Sequence, residues 1–252
     1  MSNFNFTYII SYRHNVERYN NLKRTLEWVN SFSGSEIIVV EQDKHSKISN
    51  LKINAKHIFV KSDMPFNKSW GFNVGAKYAN SNVIIFGDSD LIMDPDKFIE
   101  SIKLINEYEM VSPYNSVVDL TQQESNLQLR EMLKVDRPGR GETDIQKVPM
   151  CGGICIFRKD AINKIGGWSE DFIGWGGEDD FQEVKVKNFL TWAEVPGRCY
   201  HLYHDRPAPD MKWYQRNLQL LQKLGSLSKE ELQKVINNSL QKIGMRNKYD
   251  NF

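Results

Sequence analysis

Residues 82–86 read Asn-Val-Ile-Ile-Phe and run directly into Gly87-Asp88-Ser89-Asp90. An unbroken apolar run closed by turn residues suits a strand buried on both faces, the habit of central strands in parallel sheets. Its surroundings agree. Short β-rich runs at residues 7–11, 36–40 and 56–60 alternate with helix-patterned stretches at about 17–32 and 68–78. In the first of these helices Leu22, Leu26 and Val29 share one face. Asp94-Pro95 is a helix start, an N-cap followed by proline, with Phe98, Ile102 and Ile105 as its apolar stripe. Residues 153–157 form a further strand pattern. This alternation predicts an α/β fold with a mainly parallel central sheet flanked by helices, the 82–86 strand near its middle.

Two stretches fit that pattern less well. Residues 120–147 are polar apart from Leu127, Leu129, Met132 and Leu133. They are too long for an ordinary connection, so a partly helical, mobile loop or lid is expected. From residue 207 onward the chain reads as helical, with Ser228 and Glu231 placed for a capping box. Packing over the sheet is the expected role of this tail. No repeat and no low-complexity linker divides the 252 residues, so one domain over 1–252 is expected.

Composition narrows the partners. With 33 basic and 32 acidic residues the net charge is +1, so no global field recruits nucleic acid or an anionic membrane. A phosphate-bearing ligand must be held by local groups or a metal. No apolar run approaches the roughly 18 residues that span a bilayer, and the N-terminus lacks a signal-peptide pattern. Cys151, Cys155 and Cys199 are an odd number without zinc-type pairing, so a reduced, cytoplasmic setting is the default.

Four constellations can carry chemistry, and each has a plainer reading. Asp88 and Asp90 follow the buried strand, where open α/β sheets bind ligands; two carboxylates at i, i+2 can hold a divalent cation, or form a solvated acidic turn. His201 and His204 lie three residues apart, as imidazole ligands for manganese or zinc or as ordinary satisfied histidines. Ser11-Tyr12-Arg13 sets an aromatic beside a guanidinium, which suits a nucleotide base and its pyrophosphate or a mere surface arginine. Residues 174–180, Gly-Trp-Gly-Gly-Glu-Asp-Asp, are too glycine-rich for a helix interior. They fit either a ligand loop with converging carboxylates or a glycine turn whose acids open the next helix.

In this order the four pieces resemble the GT-A glycosyltransferases, which have a nucleotide-diphospho-sugar transferase fold. The likeness is greatest to the β-1,4-galactosyltransferase group and its relatives among bacterial chondroitin-type polymerases. It covers roughly residues 5–217. Phe66-Asn67-Lys68 and Phe72-Asn73-Val74-Gly75 are similar to the group's Phe-Asn-Arg and Leu-Asn-Val-Gly segments. Asp88 to Ile92 is similar to its Asp-Val-Asp-Leu-Ile, and the stretch from Gly152 through Gly166-Gly167-Trp168 to Asp180 to the approach to its Trp-Gly-Gly-Glu-Asp.

The resemblance implies an inverting, metal-dependent transfer of a hexose, galactose or N-acetylgalactosamine, from a UDP-sugar to a carbohydrate hydroxyl. It implies Asp90, His201 and His204 as ligands of Mn2+, with Mg2+ also tolerated. His201 stands where the galactosyltransferases carry a methionine. Asp179 matches the catalytic base, with Glu178 beside it holding the acceptor; Asp180 is left as a helix-start carboxylate. Tyr12, Arg13, Asn67, Asn73, Asp88, Gly153, Trp175 and Gly177 are the substrate-binding positions implied. Asn15 and Ser11 replace an arginine and a proline of the family's donor motif. The donor half is then about 1–95, the acceptor half about 96–206, and the helical tail 207–252. The early first strand fits a soluble enzyme without the anchor and stem of the animal members. A related donor, UDP-N-acetylglucosamine or UDP-glucuronate in polysaccharide synthesis, is the alternative within the fold. The others are a non-catalytic carbohydrate-binding protein with Trp168, Trp175 and Trp192 as stacking platforms, and a metal-dependent hydrolase.

Overall fold

A computed structural model of the chain describes residues 5–49, 54–142, 147–206 and 208–249. Strand β1 (Phe6–Tyr12) is buried along its whole length. Helix α1 (Val16–Asn30) leads from it to β2 (Ser35–Asp43), and β3 (Lys56–Lys61) follows. Helix α2 (Lys68–Tyr78) then returns the chain to β4 (Val83–Gly87), which holds the fourth of seven places in the sheet, as its unbroken apolar run predicts. After β5 (Leu91–Met93) come α3 (Pro95–Leu104), β6 (Met110–Ser112), β7 (Ser116–Asp119) and α4 (Leu129–Met132). The second half adds β8 (Cys155–Arg158), α5 (Lys159–Lys164), α6 (Glu178–Phe189), β9 (Trp192–Glu194), β10 (Arg198–His201), α7 (Met211–Gly225) and α8 (Lys229–Ser239).

The large sheet runs β3-β2-β1-β4-β8-β6-β9. Its first four strands are mutually parallel, β8 is antiparallel to both neighbours, and β9 is parallel to β6. Alternate residues of β1 feed opposite cores. Tyr8 and Ile10 pack with Trp28 and Phe98, while Ile9 packs with Val40, Trp70 and Phe86. Both faces are therefore covered, which is why the strands lack a polar side. The helix starts read from sequence hold: the Asp94 side chain accepts from Asp96 and Lys97 N–H groups, and Ser228 with Glu231 makes the capping box.

A second sheet, β5-β10-β7, escaped the sequence reading. Its strands are three or four residues long, too short to show a period. Its register is what matters for function. His201 stands opposite Leu91 on one side and Asp119 on the other, so the histidine segment is stitched beside the turn carrying Asp90.

The end of the tail reaches the sheet side as expected, where Tyr249 joins the Trp70 core and Arg246 donates to the Phe59 carbonyl of β3 at 2.8 Å, but its helices do not. Leu224 of α7 and Leu232 of α8 pack with Phe172 and Phe181, so the two helices cover α6 and the glycine loop before it. The 120–147 segment is partly helical, with a 3-10 turn at Glu124–Asn126 and then α4. Arg137 closes it with two contacts to Glu124, at 2.6 and 2.8 Å. Residues 143–146 of that segment lie outside the described residues. Among the described residues no helix is long and apolar enough to cross a membrane, and the three cysteines are free and buried.

Candidate active site

The turn after β4 delivers Asp90 into the protein, where it is 4% exposed. The Thr25 hydroxyl donates to the Ser89 carbonyl at 3.0 Å, and the Leu202 N–H to the Asp90 carbonyl at 2.8 Å. These bonds lock the turn against the strand that carries the histidines. His204 Nε2 lies 3.3 Å from one Asp90 oxygen and His201 Nε2 3.8 Å from the other. Among the described residues these three form the one group able to hold a metal, their ligand atoms all within 4.8 Å of one another.

The hydrogen bonds test whether a cation fits. His204 Nδ1 donates to the Asp205 carbonyl at 2.8 Å, which turns the Nε2 lone pair toward the Asp90 carboxylate. Two acceptors facing at 3.3 Å need a positive charge between them, either a proton or a metal ion. The protonation tendencies agree. Burial pushes Asp90 up, but His204 and His201 hold it well below the usual carboxylate range, while the Asp90 contact raises His204 against burial. Two imidazoles and one carboxylate suit manganese or a related divalent ion.

Asp119 backs this group from β7. Its carboxylate lies 3.2 Å from His201 Nδ1 and accepts from Arg206 at 2.6 Å and from Arg140 at 3.2 Å. Burial opposes ionisation of Asp119, but His201, Arg140 and Arg206 hold it below the normal range. A cleft of about 330 Å3 opens over the same place, lined by Asp119, His201, Tyr203, His204 and Arg206.

The second half of the site starts at Gly177, the N-cap of α6, with φ +88°. A Cβ there would meet the Phe172 ring at 2.8 Å, so both backbone and space call for glycine. Glu178 and Asp179 begin the helix, and Asp180 points to solvent as a helix-start carboxylate. Asp179 contacts the Lys68 ammonium at 3.1 Å, and the same ammonium lies 3.2 Å from Asp88. Burial pushes Asp179 up to about 8; Lys68 opposes the rise, and Glu178 and Asp88 add to it. Glu178 is also raised by burial, and its Oε2 is buried with no hydrogen-bond partner among the described residues.

Trp175 is 65% exposed and lies against Tyr214 of α7, ring centroids 5.3 Å apart and planes 33° from parallel. Asn217 of α7 is fully buried and donates to the carbonyls of Ile173 at 2.9 Å and Trp175 at 3.2 Å. The tail therefore braces the glycine loop.

Several positions named from sequence sit elsewhere. Tyr12 is 1% exposed in the core with its hydroxyl on His14, so it offers no ring face to a base. Asn67 is fully buried, accepting from the Trp70 N–H as the α2 N-cap and donating to the Glu170 carbonyl and the Tyr249 hydroxyl. Asn73 donates to the Trp168 carbonyl and the Glu170 carboxylate. Both amides brace the stretch leading to the glycine loop. Gly153 is buried at φ +87°, where a Cβ would strike the Tyr114 hydroxyl at 2.2 Å, and it shapes the strand's approach. Trp168 is fully buried and so cannot be a stacking platform; Trp192, 40% exposed, lies on edge strand β9. Arg13 keeps a free hand. Its Nε donates to the Gln42 carbonyl at 2.8 Å, while Nη2 is buried without a partner among the described residues.

Lys68, Asp119 and Asn217 were missed by the sequence reading. Asp119 had a usable signal, since Ser116-Val-Val-Asp119 repeats the strand-then-acid pattern of 82–90. Lys68 stands at the basic position of the Phe-Asn-Arg segment, a signal that gave it no role, and Asn217 had none, because its partner Ile173 lies 44 residues away.

Comparison with known proteins follows the same lines. The family model described as glycosyltransferase-like family 2 matches residues 7–189. Chondroitin sulfate N-acetylgalactosaminyltransferase 1 of Homo sapiens is 26% identical over 175 residues, covering 66% of this chain and 31% of that protein. The chain thus spans about a third of the length of the curated relatives it matches. Among solved structures, GalNAc-T7 with UDP, GalNAc and Mn2+ superposes with a TM-score of 0.59 at 15% identity, over 94% of this chain and 54% of that one. S. aureus TarS gives 0.57 at 13% identity, over 94% and 43%. The shared architecture is the GT-A fold.

Proposed function

The chain belongs to the glycosyltransferase-like family 2, and on that premise we propose an inverting, metal-dependent transferase. It moves a hexose, galactose or N-acetylgalactosamine, from a UDP-sugar to a carbohydrate hydroxyl. One observation carries the reading: Asp90, His201 and His204 offer ligand atoms within 4.8 Å of one another, and Asp88, two residues before Asp90, shares the Lys68 ammonium with Asp179. The donor is placed on the half formed by about 1–95 and the acceptor on about 96–206. The names of the relatives support an N-acetylgalactosaminyl donor. GalNAc-T7 is solved with Mn2+, which supports manganese here.

Asp90, His201 and His204 would hold the cation, Mn2+ with Mg2+ tolerated, whose charge offsets that of the departing diphosphate. Arg13 offers its unpartnered Nη2 to the donor. Asp179 takes the acceptor hydroxyl proton as that oxygen bonds to the anomeric carbon from the opposite face and the bond to UDP breaks. Glu178 accepts a hydrogen bond from the acceptor sugar through its unsatisfied Oε2. The exposed Trp175 beside Tyr214 supplies the apolar wall for that sugar. The reduced thiols fit a cytoplasmic place in polysaccharide synthesis.

Screening UDP-sugars by thermal shift tests this. Saturating donor at about 100 times Kd should stabilise the protein by about 2.7 kcal/mol, and only with manganese present. Stabilisation by sugars alone, with no dependence on UDP or cation, would instead mark a non-catalytic carbohydrate-binding protein. Donor breakdown at equal rates with and without acceptor would mark a hydrolase. UDP-N-acetylglucosamine or UDP-glucuronate as best donor would move the substrate but keep the mechanism.

A further inference from the structure

One side chain touches both halves of the site. Lys68 opens α2, and its Nζ lies 3.2 Å from Asp88 Oδ1, 3.1 Å from Asp179 Oδ1 and 3.3 Å from Asp179 Oδ2. Its side chain is only 12% exposed. The helix that carries it is firmly seated. Asn67 caps it, Gln42 Oε1 accepts from the Asn67 N–H at 3.1 Å, and Gly71 sits so close to β1 that a Cβ would meet Ser11 Oγ at 2.1 Å. The backbone from which the ammonium reaches the two carboxylates is thus fixed.

Two carboxylates approaching the same point repel, and burial adds to the cost of keeping both charged. A cation fixed between them removes both penalties. We propose that Lys68 is the positioning residue of the catalytic base: it fixes the Asp179 carboxylate and, by sharing its ammonium with Asp88, ties that base to the donor side. The inference rests on the reading of Asp179 as base. The other titratable groups around Asp179 are Glu178 on its own helix, Asp88 after β4, Cys151 in the turn before β8 and Cys155 at the start of β8. Among the described residues Lys68 is the cation in ion-pair contact with Asp179.

The test is the titration of the Asp179 carboxyl by carbon-13 NMR in the ligand-free protein, its signal assigned by its loss in Asp179→Asn. Removing a cation at this distance should raise the midpoint by about one pH unit or more. Lys68→Met, similar in length and uncharged, is expected to show that rise, and Lys68→Arg to stay within a few tenths of wild type. In turnover the acid limb of the kcat/KM profile should move with the midpoint for methionine and return for arginine. A purely structural role would lower the melting temperature without moving either. An unchanged midpoint in Lys68→Met overturns the inference. If that variant does not fold, Asp88→Asn substitutes: with the ammonium left to Asp179 alone, the midpoint should fall, and an unchanged midpoint again overturns it. Failure of the wild-type chain to transfer any sugar would overturn the base assignment instead, a result the titration cannot mimic.

Discussion

Gly177 shows how closely residue type and chemistry are tied in this site. It sits at φ +88° at the head of α6, and its missing side chain leaves room for the Phe172 ring. Gly177→Ala should cost about 2–4 kcal/mol, from left-handed strain together with displacement of that ring. Chemical denaturation of the variant checks the value; a loss below about 0.5 kcal/mol would mean that the loop has another backbone solution. The sequence patterns that single out Gly177, Asp90, His204 and Asp179 are local, each spanning only a few positions. Tyr12, Asn67 and Asn73 are buried and bonded to neighbouring segments. Polar and aromatic side chains serve the fold as readily as a ligand, and burial is not written in residue type. Lys68 is legible only in three dimensions, since its charge acquires meaning from Asp88 and Asp179 arriving by separate routes.

Elements rather than single residues decide how firmly each half of the site is held. The short sheet β5-β10-β7 puts His201 and Asp119 on adjacent strands and Asp90 in the turn just before β5, so backbone pairing holds these side chains together. Strands of three or four residues carry no readable period, which is why the residues of this centre are legible and its scaffold is not. The helical nature of the tail is plain in the sequence, but its place is not. Its apolar positions say only that it must cover something. What it covers is α6 and the glycine loop, through Asn217 and the Trp175–Tyr214 contact. Asn217→Ala leaves two buried loop carbonyls without their donor, at a cost of about 1–3 kcal/mol. With the loop loosened, the KM for acceptor should rise several-fold while Mn2+-dependent UDP binding holds steady. Equal weakening of both would show that α7 supports the whole fold and not the acceptor loop in particular.

Over the whole molecule the parallel strands β1 and β4 bring Arg13 and Asp88 to one end of the sheet, and Asp179 of α6 meets Asp88 across Lys68. The alternation of strands and helices, and the central place of 82–86, follow from hydrophobic pattern alone because a strand covered on both faces has no polar side to show. The crossing of the two halves depends on long-range register and does not. The account comes down to a division of labour, with Asp90 and the histidines on the cation and diphosphate and Asp179 on the acceptor proton. Transfer measured alongside Mn2+-dependent UDP binding in wild type, Asp90→Asn and Asp179→Asn tests it directly. Asp179→Asn should bind UDP within about threefold of wild type while transfer falls by about 10²–10⁴, and Asp90→Asn should lose the Mn2+-dependent binding. Retained transfer in Asp179→Asn, or unaltered Mn2+-dependent UDP binding in Asp90→Asn, would contradict it.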